Sequence, residues 1–251
     1  MTPPMNLLAG GCWVIPSGSE YRAEGVRRFR VPISKDMGSR DIIQTISLYD
    51  SGRAPSRRNP FAEEVLYVVG GFGACRIDEF AYPLRPGTAV YIPPGAVYQI
   101  LNTREEPLEI VSVVCPEDPI VHIDFPLPTL SRSTPPKRSA LEQISEPTPL
   151  SKRTFKVLLD REQGCKRVTQ FIGVIPPGRA PMHHHTYEEA LYILEGEGHL
   201  WTDEGDARFA SGTSIYLPRG ASHSLENEGK ANIRILGAFH PAEPPATRYE
   251  D

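Results

Sequence analysis

The sequence predicts a mainly β protein in which one small domain is used twice. Three observations carry that prediction: turn residues are dense, the apolar segments are short and β-branched, and one half of the chain repeats the other. Proline and glycine supply 26 and 21 of the 251 residues, too many for a helical protein and too few for an aperiodic disordered chain. Runs rich in Val, Ile, Tyr and Phe fall at 42–49, 65–69, 89–92, 108–114, 155–159, 168–175, 190–194, 214–217 and 233–236. Turn signals bound nearly all of them, which is the pattern of strands. One short helix is expected at 139–144, with Ser139 as a cap ahead of Ala140, Leu141, Glu142 and Gln143.

The repeat settles the domain count. Residues 63–102 align without a gap on 188–227 at an offset of 125, with 15 identities in 40 positions, among them EExLY, GxG, DE, GT, PxGA and a final Asn. The segment 116–150 carries eight prolines and reads as an extended connection. The expected organisation is therefore an N-terminal domain over 1–115, a Pro-rich connection over 116–150 and a C-terminal domain over 151–251.

Composition excludes several functions. The net charge is −4 and no basic run exceeds pairs such as Arg57-Arg58, so nucleic acid is not an expected partner. No apolar run approaches the roughly 18 residues of a spanning helix. The opening MTPPMNLLAGG lacks the charged and apolar regions of a signal peptide, and Cys12, Cys75, Cys115 and Cys165 form no CxxC. A reducing cytoplasm is the expected location. A monomer is viable because the two halves can cover each other, and a homodimer through exposed barrel edges is the next expectation.

Chemistry concentrates in the second half. His183, His185 and Glu189 occupy alternate positions of one segment, so in an extended strand their side chains leave the same face. A later segment, punctuated by Gly212, Pro218 and Gly220, delivers His223. Three imidazoles and one carboxylate suit a single divalent transition metal, Mn, Fe, Ni, Co, Cu or Zn, with room left for water or substrate. Tyr187 shares the ligand face, either as a proton donor or orienter of the ligands or in a structural role. Leu191 and Ile193 continue that face as an apolar floor, while Tyr192 and Leu194 face the other side. His184 points away from the site, and Glu188 is most simply a solvated neighbour of the ligand. Arg179 either reaches an anionic substrate or lies on the surface, and Trp201, His199 and Tyr216 are expected to pack rather than line the cavity mouth. Cys165 reads as an inert buried thiol.

The stretches His183-x-His185-x3-Glu189-x6-Gly196 and Gly212-x5-Pro218-x-Gly220-x2-His223-x3-Asn227 resemble the two signature motifs of the cupin superfamily, with Gly178 one residue closer to the first His than usual. The first half shows the same frame at Glu64-x6-Gly71 and Gly87-x5-Pro93-x-Gly95-x2-Tyr98-x3-Asn102. The resemblance implies a bicupin: two tandem jelly-roll (double-stranded β-helix) barrels packed as an internal pseudo-dimer. Carried across by 125 residues, His183, His185, Glu189 and His223 fall on Arg58, Pro60, Glu64 and Tyr98. Neither a guanidinium nor proline is a metal ligand, so the first barrel is expected to be metal-free, with Arg58 paired to Glu64 and the Tyr98 hydroxyl nearby.

Cupins of this kind include dioxygenases, oxalate-type decarboxylases and oxidases, sugar isomerases and ureide amidohydrolases, so the fold alone selects no reaction. The leading expectation is a metal-dependent enzyme of the dioxygenase or oxidoreductase type, acting on a small polar or aromatic metabolite. The alternatives are a hydrolase similar to ureidoglycine aminohydrolase, which shares a silent first barrel, and a non-catalytic metal- or ligand-binding module.

Overall fold

The structure, a computed structural model, describes residues 6–18, 20–116, 121–150, 153–242 and 248–249. The β-branched runs form strands, every pairing is antiparallel, and each half is a jelly roll of two facing sheets. In the N-terminal half a seven-stranded sheet is centred on Glu63–Gly70, Leu108–Cys115 and Ile43–Tyr49, and faces a smaller sheet containing Gly73–Ile77, Val97–Asn102 and Arg57–Arg58. In the C-terminal half an eight-stranded sheet centred on Glu188–Glu195, Ile233–His240 and Thr169–Ile175 faces a four-stranded one built from Gly178–Arg179, Ser224–Asn227, Glu197–Thr202 and Gly205–Ala210. The repeated GxG has a steric cause. Gly196 stands at φ +93°, and a Cβ on Gly198 would lie 2.0 Å from the Glu226 carbonyl oxygen, so the turn and the close strand approach both need glycine.

Three apolar cores follow. One fills the N-terminal barrel around Val68, Ile77, Ile100 and Leu108, and one fills the C-terminal barrel around Leu191, Ile193, Leu200 and Ile215. The third joins the outer faces of the two large sheets, with Ile46, Tyr67, Tyr91 and Val111 against Ile172, Tyr192, Tyr216 and Leu236. The two barrels thus bury each other as an internal pseudo-dimer.

Two features of that pseudo-dimer depart from the sequence expectation. The first is that edge strands are exchanged. Trp13–Ile15 pairs with Ser214–Leu217 of the C-terminal barrel, and Ser139–Leu141 of the connection pairs with Thr88–Ile92 of the N-terminal barrel. The start of the chain therefore belongs structurally to the second barrel. The expected helix at 139–144 is absent for the same reason: Ser139–Leu141 satisfies its backbone on a sheet edge, and only the single 3-10 turn Glu142–Ile144 follows. Six residues cannot offset the cost of helix nucleation against a ready ladder of strand hydrogen bonds.

The second feature is the role of Glu188. It is not a solvated neighbour but is 1% exposed. Its carboxylate accepts the backbone N–H groups of Arg40 (3.1 Å) and Asp41 (2.7 Å) and the Tyr216 hydroxyl (2.8 Å). Glu63, its counterpart in the repeat, accepts the N–H groups of Lys166 (3.0 Å) and Arg167 (2.9 Å). The first glutamate of each EExLY is thus a clamp onto the other barrel, and the second points into its own.

Candidate metal centre in the C-terminal barrel

The strand His183–His184 and the residue His223 meet as a bridge in which each backbone N–H donates to the other's carbonyl, at 3.0 and 2.9 Å. Pairing at this register sets the two imidazoles side by side on the barrel interior. His185 lies two residues on, its carbonyl accepting the Gly220 N–H at 2.8 Å. The three rings form a near-equilateral triangle, with centroids 5.1, 4.6 and 5.0 Å apart. One ring nitrogen from each lies within 4.8 Å of the other two. All three side chains are buried.

Their orientation is fixed from behind. Nδ1 of His183 stands 2.9 Å from the Pro181 carbonyl and Nδ1 of His223 stands 2.8 Å from that of Ala221. A carbonyl can only accept, so each Nδ1 carries the proton and each Nε2 presents its lone pair. Burial lowers the pKa of His183. It lowers that of His223 to about 3, helped by the charges that His183 and His185 would carry. His183 and His223 are therefore neutral donors at physiological pH, the state that metal ligation requires. His185 is held differently, stacked on Tyr187 (centroids 4.6 Å, 8° between planes), which in turn stacks on Phe239 at 4.3 Å. Tyr187 is 3% exposed, so this column holds the His185 ring in place.

Glu189 stands just outside the histidine triangle, its Oε2 3.7 Å from His185 Nε2. Burial raises its pKa to about 8 against the opposing charge of Arg153. A carboxyl in that state is a proton carrier until a cation arrives beside it. The donor set fits a divalent transition ion: three buried, pre-oriented imidazoles with a carboxyl at their edge.

These groups floor a cavity of about 90 Å³ whose walls include Phe155, Phe171, Leu225 and Ile235. The cation facing it is Arg153, whose Nη2 donates to the Leu225 carbonyl at 3.2 Å. Its charge bears on Glu189, His183 and His223. Arg179, the residue singled out from the sequence, instead lies exposed with its guanidinium 4.2 Å from the Trp201 ring centroid. A signal for Arg153 was present, because Arg27-x-Phe29-x-Val31 and Arg153-x-Phe155-x-Val157 repeat at an offset of 126. Leu191 lines the cavity and Tyr216 packs between the barrels, whereas His184, His199 and Trp201 are not among the residues that line it.

The same offset corrects the reading of the first barrel. Tyr98 pairs with Arg57, and Gly95 N–H donates to the Asn59 carbonyl at 2.7 Å, as Gly220 does to His185. The counterparts of His183 and His185 are therefore Arg57 and Asn59, not Arg58 and Pro60. One extra residue between Asn59 and Glu63 shifts the offset from 126 to 125, and a slip of one residue exchanges the two faces of a strand. Arg58 makes no ion pair with Glu64 among the described residues. Arg57 pairs with Glu24, and the Tyr98 hydroxyl donates to Glu64 at 2.8 Å. Among the described residues the first barrel has no cluster of metal-ligating groups.

The comparisons with known proteins bear on the fold. A cupin domain model matches residues 47–114 and 171–239. Among solved structures, a Pseudomonas aeruginosa protein described as glyoxylate-induced superposes with a TM-score of 0.75 at 18% identity, covering 98% of this chain and 94% of that one. Oxalate decarboxylase from Bacillus subtilis superposes with a TM-score of 0.75 at 16% identity, covering 94% and 77%. At these identities the likeness is one of fold. Among curated proteins, an oxalate-binding protein of Thermotoga maritima is 34% identical over 67 residues, 26% of this chain and 55% of that protein. Auxin-binding protein 1 of Arabidopsis thaliana is 26% identical over 98 residues, 35% and 50%. The chain thus spans about half the length of these curated relatives. No helix among the described residues is long and apolar enough to cross a membrane. Two matched domains covering more than half of the sequence, folded as paired jelly rolls, make this chain a member of the cupin family with a duplicated, bicupin architecture.

Proposed function

We propose that the chain is a metal-dependent enzyme whose C-terminal barrel binds one divalent transition ion on His183, His185, His223 and Glu189 and acts on a small organic acid anchored by Arg153. The observation that carries this reading is the triangle of three buried imidazoles with a guanidinium across a small, mostly apolar cavity. When bound, the ion supplies Lewis-acid polarisation of a substrate oxygen and, if redox-active, a path for electrons. The chain's own residues do the rest. Arg153 orients the carboxylate, the Phe155 and Phe171 walls exclude water, and the Tyr187 stack keeps His185 aimed. Glu189 holds a proton in the metal-free protein and would give it up to serve as a ligand. The reaction class favoured is an oxygen-dependent or decarboxylating one, since the site takes a chelating acid and the structurally similar bicupin is an oxalate decarboxylase, for which Mn(II) centres are described. A metal-dependent ligand-binding module is the second reading, favoured by the match to an oxalate-binding protein.

The test is metal analysis of the purified protein followed by oxygen-uptake and CO2-release assays on a panel of two- to six-carbon acids. About one Mn or Fe per chain, turnover of an acid, and a KM rise of about tenfold or more in Arg153→Leu support the enzyme. Acid binding without turnover in the metal-loaded protein assigns the module instead, and a protein that takes up no metal refutes both.

A further inference from the structure

We infer that the N-terminal barrel holds a second ligand site, for a small organic anion whose carboxylate is received by Arg57 and Arg27. This inference goes beyond the proposed function and does not rest on it. The first barrel, with no cluster of metal-ligating groups among its described residues, is open inside. Its cavity measures about 210 Å³ against about 90 Å³ in the second. At the positions of His183, His185, Glu189 and His223 it carries Arg57, Asn59, Glu64 and Tyr98. It keeps Arg27 and Phe29, the counterparts of Arg153 and Phe155. The element shared by both cavities is thus a guanidinium beside an aromatic wall, not a metal site.

The charges do not balance among the residues present. Arg27, Arg57 and Arg58 line the cavity, and Arg27 is only 7% exposed. The carboxylates they face are Glu24, which Arg27 and Arg57 share, and Glu64, which accepts the Tyr98 hydroxyl. Three guanidinium groups against two carboxylates leave one positive charge in a largely buried place, a state that a bound anion relieves. Donors are in excess as well. Asn59 Oδ1 accepts the N–H groups of Phe61 and Ala62, while Asn59 Nδ2 and Arg58 Nε are buried with no hydrogen-bond partner among the described residues. Asn59 stands where His185 turns its ring into the other barrel. The remaining wall is apolar, from Phe29, Ile92 and Val114, which suits a carboxylate carrying a short hydrocarbon body rather than inorganic phosphate.

The experiment is calorimetric titration of the full-length protein with butyrate, benzoate, succinate and inorganic phosphate, in Arg153→Gln so that the second barrel's guanidinium does not contribute. Saturable binding of at least one carboxylate near one per chain is expected, weakened tenfold or more by Arg57→Gln. Val31→Trp, placed at a cavity-lining position that is 38% exposed and therefore able to take a larger ring, is expected to block the site in a chain of unaltered circular dichroism. No saturable carboxylate binding up to about 10 mM overturns the inference. So does binding that survives both substitutions, or binding of phosphate alone. Metal content and turnover read the C-terminal site separately, so either proposal can fail without the other.

Discussion

Replacing Glu188 by alanine removes an acceptor shared by three donors, two from the other barrel and one from its own: Arg40 N–H at 3.1 Å, Asp41 N–H at 2.7 Å and the Tyr216 hydroxyl at 2.8 Å. Hydrogen bonds to a charged group contribute about 1.5–3 kcal/mol each, and a buried donor left alone costs about 1–3 kcal/mol. Two facts reduce the sum. Arg40 is exposed, so its N–H can turn to water, and the Tyr216 hydroxyl also reaches the Gly38 carbonyl at 3.2 Å. The expected loss is about 3–4 kcal/mol, equivalent to a fall in Tm of about 10 °C for a chain of this size. Urea unfolding followed by tryptophan fluorescence and circular dichroism measures it. Glu63→Ala, which strands the Lys166 and Arg167 N–H groups, is expected to cost a similar amount. A Glu188→Ala cost under about 1 kcal/mol, the value of a solvated surface glutamate, would refute the clamp.

Other predictions concern the site and the thiols. His223→Ala removes one apex of the triangle and is expected to drop metal content from about one ion per chain to none, as read by elemental analysis; retention of the ion would show that the other groups suffice. Metal uptake is linked to protons, because Glu189 is raised to about 8 while His183 and His223 are already neutral. Titration calorimetry in buffers of different ionisation enthalpy should show release of about 0.9 proton per ion at pH 7 and about 0.1 at pH 9; no release at pH 7 would exclude Glu189 as a proton-bearing ligand. The same raised value has a consequence for the metal-free chain. Its folded form holds a proton that the unfolded form, with an ordinary value of 4.5, has lost, so this contribution to stability is complete below about 4.5 and disappears as pH rises through about 8. The four cysteines are fully buried, and burial pushes Cys12 and Cys115 up to about 12 and Cys75 and Cys165 higher still. No thiol should react with a disulfide reagent at pH 8 before unfolding and all four after it.

That His183, His185 and His223 come together could be read from the chain because strand period and turn residues act locally. His183 and His185 share one face by the two-residue period, whereas a bend at Thr186 and Tyr187 ends that segment before Glu189, which is left at the edge of the triangle; Gly220 fixes the turn that brings His223 opposite His183. The duplicated fold was readable for a similar reason, as EExLY, GxG and PxGA each mark a backbone feature that both halves need. The counterparts of the ligands in the first barrel were not, because a single extra residue ahead of Glu63 breaks the register that a gapless alignment assumes.

What the sequence determined by itself, then, was the set of short strands, their duplication and the histidines of the second barrel, since strand period and turn residues act over a few positions. Tertiary structure alone decided which groups surround those histidines. Arg153 and Phe155 come from a strand about 30 residues upstream, and Glu188 takes its partners from 147 and 148 residues away. It also decided that Trp13–Ile15 crosses to the C-terminal barrel and that Ser139–Leu141 of the connection joins the N-terminal one. Burial, pKa shifts and charge balance depend on distances that only sheet pairing and barrel packing create.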